Sequence, residues 1–392
     1  MKIYFIGQKG MPAKSGGVES HVENLAINLA NAGHDVYVYT RPNYTNKRLK
    51  KYQGVNLISL PTIGSKHLDA ISHTFLACFD VARRNADIIH FHSIGPSSLI
   101  WLAKLLNPGT PVLSTFHTKD YEHQKWGILA KVYLKFGEMM SCVFADKTIA
   151  VSRSLASYAK EAYSSDAVYI PNGVEIKKQL SAREISLWGL KKNNYIVAIS
   201  RLVRHKGLHH LIKAYQKLNT TKKLVIVGGG AFTDDYVNEL KLMAIDNKNI
   251  VFTGAQSGRV LTELFSNAYL FVQPSESEGL SIALLEAMSY KKAVLVSDID
   301  ENKEAIGDMG FTFKNASAES LKKKLEFLLA HPRLVQTESE KGYARVKEFY
   351  NWKNITRNIL KTYKAVMVAK EKTKKNPERQ QSLVRRFVSF LF

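Results

Sequence analysis

MKIYFIGQKGMPAKSGGVESHVENLAINLANAG, residues 1–33, sets the expected fold. Ile3 to Ile6 form a short apolar run without polar alternation, the pattern of a strand buried on both faces. A glycine turn follows, and Gly16 and Gly17 open a stretch in which Val22, Leu25, Ala26 and Leu29 recur at helical spacing. Strand, turn and helix repeat outward from there. Asp35 to Tyr39, Val55 to Leu60, Asp87 to Phe91, Val112 to Thr115 and Thr148 to Val151 are similar runs separated by amphipathic stretches. The rhythm restarts after Pro171-Asn172-Gly173, with Tyr195 to Ser200, Lys223 to Val227, Ile250 to Thr253, Leu270 to Gln273 and Ala293 to Ser297. The expected fold class is therefore α/β, with two Rossmann-like doubly wound parallel-sheet domains facing each other across a cleft. A chain of 392 residues has room for both. The expected limits are 1–172 and 173–349, with the polar stretch from Lys177 to Asn194 as hinge region and lead into the second sheet.

Composition narrows the partners. Fifty-six Lys and Arg against 34 Asp and Glu give a net charge of +22, which favours anionic partners such as phosphorylated substrates and lipid head groups. Zinc-finger spacing, a basic region with heptads and an aromatic ribonucleoprotein motif are all lacking, so nucleic acid is not expected. Two cysteines, Cys78 and Cys142, fit structural roles in a reducing cytosol better than a disulfide framework. No run reaches the roughly 18 apolar residues of a spanning helix, nor does the N-terminus resemble a signal peptide, so a cytoplasmic protein, soluble or peripheral at the inner face of a membrane, is expected. Residues 361–392 carry nine basic and two acidic side chains and end LVRRFVSFLF. Val384, Phe387, Val388 and Leu391 fall at helical spacing with Arg385 and Arg386 off that stripe, so residues 366–392 read as a basic amphipathic tail for an anionic bilayer or as a frayed tail.

Open α/β sheets bind ligands at the carboxyl ends of their strands, and the distinctive residues lie there. Gly16 and Gly17 bring bare backbone and a helix N-terminus toward a phosphate, although the spacing is not the dinucleotide fingerprint G-x-G-x-x-G, which disfavours a dehydrogenase. Arg201 and Lys206 follow the strand YIVAIS in SRLVRHKG. On a helix they would diverge by roughly 140°, so only a loop lets both cations meet one diphosphate. The strongest signal is PSESEGLSIALLEAM, residues 274–288. On one continuous helix Glu278 and Glu286 would stand about 12 Å apart, so Glu278 is placed on the loop, Gly279, Leu280 and Ser281 in the entry turn, and Glu286 just inside the helix. His117 ends another strand and faces the same cleft, while His90 and His92 in IIHFHS read as cleft lining. No metal site is expected, because those histidines lack identifiable further ligands.

These residues resemble a family. GGVESHVENLA, TFHT, PNGV, SRLVRHKG and the E-x7-E stretch ending LLEAM, in that order between Met1 and about Tyr363, are similar to the retaining glycosyltransferases of the GT-B fold, group four, which make sucrose, glycolipids and bacterial surface polysaccharides. The opening GQKGMPAKSGGVE looks most like members that build exopolysaccharide, capsule or O-antigen repeats. The resemblance implies an acceptor-binding first domain, a nucleotide-sugar-binding second domain and a last helix, about 350–365, crossing back to the first. It implies that Gly16 and Gly17 approach the donor phosphates, Arg201 and Lys206 bind the diphosphate, His117 touches the donor sugar, Glu278 holds that sugar and Glu286 the ribose, with Gly279, Leu280 and Ser281 offering backbone. Ser281 stands where many members have glycine, which narrows the approach. The implied reaction moves a hexose or deoxyhexose from a nucleoside-diphosphate sugar to a saccharide or lipid-linked saccharide, with retention, no cofactor and no metal. Two alternatives stay open: a sugar-nucleotide epimerase of the same architecture, and a non-catalytic scaffold binding polyanion or lipid. Product analysis and donor hydrolysis discriminate them.

Overall fold

A computed structural model describes residues 1–14, 16–65, 68–122, 127–231 and 233–374, so the tail stripe from Val384 to Leu391 lies outside the described residues. In the first lobe β1 (Lys2–Ile6), β2 (Asp35–Thr40), β3 (Lys51–Tyr52), β4 (Val55–Ser59), β5 (Ile88–His92), β6 (Val112–Phe116), β7 (Lys147–Ala150) and β8 (Val168–Tyr169) make one sheet. Its order is β3-β4-β2-β1-β5-β6-β7-β8, parallel except for the β3–β4 pair. In the second lobe β9 (Tyr195–Ile199), β10 (Lys223–Val227), β11 (Ile250–Gly254), β12 (Leu270–Gln273), β13 (Ala293–Ser297) and β14 (Phe311–Phe313) are all parallel, in the order β11-β10-β9-β12-β13-β14. This is the GT-B arrangement of two facing doubly wound sheets. Strand order reverses between β1 and β5 in one lobe and between β9 and β12 in the other. Crevices open at such switch points, so the turns after these four strands frame the ligand space.

Every strand expected from an apolar run is present. β3, β8 and β14 were not anticipated, because two or three residues are too few to show a period. The stretch from Lys177 to Asn194 differs from the hinge reading. Ile185 and Leu190 are buried in the second lobe's core, and the fully buried Glu263 carboxylate accepts the Arg183, Glu184 and Ile185 N–H groups, so this segment is part of that lobe. The lobes are joined instead where the chain crosses twice, side by side: Val174 N–H donates to Tyr350 O at 2.8 Å, and Val174 bridges Asn351.

The last helix, Trp352–Lys374, passes the expected end near 365 without a break. Trp352, Ile355, Ile359, Tyr363 and Val366 recur on one face and pack with Ile3, Phe5 and Val22 of the first lobe, which holds the helix down for its first four turns. Tyr363 is the innermost anchor: its hydroxyl bonds His90 Nδ1 at 2.7 Å, and His90 Nε2 meets Thr115 Oγ1 at 2.8 Å. His90 is therefore a saturated core residue rather than cleft lining. Tyr363→Phe leaves a buried ring nitrogen unpaired and should lower stability by ~1–3 kcal/mol, read from urea denaturation; an unchanged midpoint would show the bond contributes nothing. Cys78 and Cys142 are free and buried, and burial pushes both thiols up to about 12. Among the described residues no helix is long and apolar enough to cross a membrane.

Candidate active site

The second lobe supplies cations and carboxylates from two adjoining loops. After β9 the chain runs through Arg201 to a short 3-10 turn, Arg204–Lys206, which is the loop that two converging cations require. Lys206 Nζ donates to Glu278 Oε1 at 2.6 Å, with side chains only 13% and 8% exposed. The loops are sewn together beside that pair, since Glu276 N–H donates to His205 O at 2.8 Å and His210 Nε2 lies 3.1 Å from Glu276 Oε1. Arg201 is exposed, and among the described residues its guanidinium has no hydrogen-bond partner. It sits on the same loop, ready for an anion rather than used by the fold.

Helix Ile282–Ser289 follows, and Ser281 caps it: its Oγ accepts the Leu284 N–H at 3.3 Å and donates to Gln273 Oε1 at 2.6 Å. The hydroxyl therefore turns into the fold instead of narrowing the approach. Glu286 lies on the second turn of this helix, and no hydrogen bond among the described residues joins it to Glu278 or Lys206. Burial pushes its carboxyl above the ordinary range, with Lys177 opposing and Glu175 reinforcing the shift.

The first lobe supplies glycine backbone and histidines. Gly16 stands before helix Gly17–Asn31 at φ +102° and offers no side-chain cap, so among the described residues the first N–H groups of the helix are not capped by a side chain. Glu19 complicates the phosphate reading: it lies in the first turn, accepts the Lys9 N–H at 3.3 Å, and would be 2.1 Å from a Cβ at position 16. A carboxylate thus already faces part of that terminus, and the sequence reading passed over it.

His117 follows β6 and is 7% exposed, with Nε2 3.2 Å from His92 Nδ1. The His21 ring stands edge-on to it, centroids 4.9 Å apart, and also lies against Trp352. His21 escaped the sequence reading although the signal was available: in GGVESHV it lies four residues after Gly17, one helical turn inward. Burial holds the His21 imidazole down at about 4, and burial and the neighbouring histidines hold His92 and His117 well below the usual imidazole range. All three are neutral at pH 7. One ring nitrogen from each lies within 4.8 Å of the others, as do one ring nitrogen each of His209 and His210 and a carboxylate oxygen of Glu276, so both groups have the spacing for a cation. In the first group, however, His92 and His117 already share a hydrogen bond, which uses one lone pair and one proton.

Three contacts close the lobes on each other. A Cβ at Gly279 would lie 1.6 Å from His117 O, so the carboxylate loop rests directly on the end of β6. Asn172 Nδ2 donates to Leu280 O at 2.9 Å. A Cβ at Gly17 would lie 3.9 Å from Ile282 Cδ1, placing the starts of the two helices opposite each other. The structure thus gathers Gly17, His117, Glu278, Gly279, Leu280 and Lys206, with Gly16, Arg201, Ser281 and Glu286 on the same elements. Asn172, which the sequence marks only through the motif PNGV, ties the end of the first lobe to the Glu278 loop. Asn172→Ala should lower turnover about fivefold by loosening the contact between the lobes and, by leaving the buried Leu280 carbonyl unpaired, lower stability by ~1–3 kcal/mol; unaltered turnover in the folded variant would remove this contact from the mechanism.

Comparison with known proteins bears on this cleft. The family model for Glycosyl transferases group 1 matches residues 183–345, and that for Glycosyltransferase Family 4 matches residues 15–178. The chain belongs to the group 1 glycosyltransferases of the GT-B fold. A phosphatidyl-myo-inositol mannosyltransferase of Mycolicibacterium smegmatis is 27% identical over 364 residues, covering 90% of each chain. An alpha-monoglucosyldiacylglycerol synthase of Streptococcus pneumoniae is 25% identical, covering 88% of this chain and 84% of that one. Among solved structures, Anabaena HepE in complex with UDP and glucose superposes with a TM-score of 0.79 at 20% identity, covering 93% of this chain and all of HepE. This glycosyltransferase therefore carries its cleft residues on the architecture of its relatives.

Proposed function

We propose that this glycosyltransferase moves a hexose or deoxyhexose from a nucleoside-diphosphate sugar to a saccharide or lipid-linked saccharide, with retention and without a metal, in surface-polysaccharide synthesis at the cytoplasmic face of a membrane. The observation that carries the reading is the Lys206–Glu278 pair whose loop, through Gly279, rests on the His117 carbonyl. A cation, a carboxylate and a neutral imidazole then border one crevice. In this reaction the bond from the anomeric carbon to the diphosphate oxygen breaks while the acceptor oxygen bonds to that carbon on the same face. The acceptor proton passes to the departing phosphate oxygen. Lys206 and Arg201 offset the charge that develops on the diphosphate, the helix N-terminus at Gly16 and Gly17 adds backbone donors, Glu278 orients the sugar and Glu286 the ribose. His117 contacts the sugar through a neutral ring, which adds no competing positive charge. Two relatives act on lipid acceptors by their names, which supports a lipid-linked acceptor here.

The test offers UDP-, GDP- and dTDP-sugars with and without membrane extract, identifies products by mass spectrometry and reads the new anomeric configuration by NMR. A transferred sugar of unchanged configuration is expected. A free, altered sugar nucleotide would identify an epimerase, and no donor turnover at all would leave only a binding scaffold. Activity in EDTA should equal that in buffer, because Arg201 and Lys206 supply the positive charge; loss in EDTA restored by magnesium would overturn the metal-free reading.

A further inference from the structure

Two histidines stand side by side where helix Leu208–Tyr215 begins in the second lobe, and the roles given to the donor site leave both rings unused. Consecutive side chains on a helix point about 100° apart, so His209 and His210 share a target only if something lies close against the first turn. The Glu278 loop supplies it. A Cβ at Gly207 would lie 1.9 Å from Pro274 O, which presses the helix start onto the loop two residues before Glu276, and the Glu276 N–H donates to His205 O at 2.8 Å. The two rings then lie with centroids 3.9 Å apart, and their Nε2 atoms stand 3.8 and 3.1 Å from Glu276 Oε1.

Two imidazole nitrogens and one carboxylate oxygen form the donor set of a zinc ion that keeps a fourth position for water, whereas magnesium and calcium take oxygen ligands. Zinc bonds of about 2.0–2.2 Å in a tetrahedron put ligand atoms roughly 3.3 Å apart, so both Nε2–Oε1 separations are within reach of small side-chain shifts. His209 Nδ1 lies 2.9 Å from the Tyr236 hydroxyl oxygen. When Nδ1–H donates to that oxygen, Nε2 keeps its lone pair for a metal, and the ring is held in place by the outer contact that ligating histidines use. Arg204 lies over the Tyr236 ring, but Glu239 offsets its charge. Unlike the buried His21, His92 and His117, this group is open on one side: the histidine side chains are 12% and 17% exposed and Glu276 31%, so an ion can enter and water can complete its shell.

We propose that His209 Nε2, His210 Nε2 and a Glu276 carboxylate oxygen hold a zinc ion, and that the bound ion slows transfer by clamping the Lys206 loop to the Glu278 loop. Lys206 lies three residues before His209, and Glu278 two residues after Glu276. In the reaction proposed above Lys206 leaves Glu278 for the diphosphate while Glu278 turns to the sugar, and a cross-link between their two segments opposes that exchange. The slowing therefore rests on the proposed roles of Lys206 and Glu278. Zinc uptake does not, and it is measured without any donor.

The full chain, free of any affinity tag and stripped with EDTA, is returned to zinc-free buffer containing magnesium and titrated with zinc sulfate by calorimetry. One equivalent should bind, with affinity lowered on the order of tenfold or more by His209→Asn or Glu276→Gln and about tenfold by Tyr236→Phe. Zinc should raise the melting temperature of the unaltered chain and not that of His209→Asn, whose own cooperative melt shows that it is folded. Cobalt(II) in place of zinc should give the visible absorption of a four-coordinate ion, lost in the same variant. At saturating donor, zinc should lower turnover severalfold in the unaltered chain and leave each ligand variant at its own zinc-free rate. Failure to take up zinc, or uptake undiminished in the double variant His209→Asn, His210→Asn, would overturn the site. Full occupancy with undiminished turnover would overturn the clamp.

Discussion

Lys206→Ala lowers turnover on the order of a hundredfold or more. The ammonium group lies in a recess, and its contact there is the Glu278 carboxylate, itself 8% exposed. Truncation removes the cation that a leaving diphosphate needs and leaves Glu278 recessed without its counter-charge, so donor binding becomes more costly as catalysis fails. The loss should therefore appear in kcat and in kcat/KM, with Lys206→Arg restoring part of it, which a purely structural role would not produce. Arg204→Ala is the control. Arg204 pairs with Glu239 and stacks on Tyr236 at a half-exposed position, so its loss should cost severalfold at most. Near-normal turnover of Lys206→Ala, assayed with saturating donor, would remove this lysine from the site.

Acidification should unfold the first lobe well above the pH at which carboxylates protonate. Burial is the largest cause of low basicity at His21, His90, His92 and His117; neighbouring histidines add to it at the last three, whereas the Asn172 side chain opposes it at His21, and His21 falls to about 4 and His90 to about 3. The sign follows from which state takes the proton. As pH falls through about 6.5 the unfolded chain protonates these histidines while the folded chain cannot, so stability is complete above that value and is lost down to about 4. Four such groups give a slope of roughly 5 kcal/mol per pH unit at its steepest, comparable with the whole stability of a domain. A fall in the melting temperature beginning just below pH 6.5 and ending in a cooperative collapse near pH 5 is expected in scanning calorimetry. A flat profile from pH 7 to 5 would mean that these imidazoles are not buried as described.

Much of this protein was legible along the chain because the signals are local. An uninterrupted apolar run such as Ile3 to Ile6 must be buried on both faces, and a helical stripe such as Val22 to Leu29 must cover it, wherever the rest of the chain goes. The two-domain α/β architecture and the loops bearing Gly16, His117, Arg201, Lys206 and Glu278 follow from that alternation, with the family resemblance assigning their roles. Ser281 was misjudged because its type reports polarity but not that its hydroxyl would cap helix Ile282–Ser289 and reach Gln273. The other gaps are long-range. Lys206 and Glu278 are 72 residues apart, Asn172 and Leu280 are 108, and His90 and Tyr363 are 273, and no periodicity connects positions so distant. The same holds for the apolar face of helix Ile128–Met139. Its pattern contains enough apolar residues to be buried, and only the seat of Gly137 against Ile94 decided which side would be covered and which left facing outward. Local propensity and patterning are set by neighbours within a few residues, whereas the order of strands and the docking of two lobes are set by packing of the whole, and it is that packing which turned separate loops into one cleft.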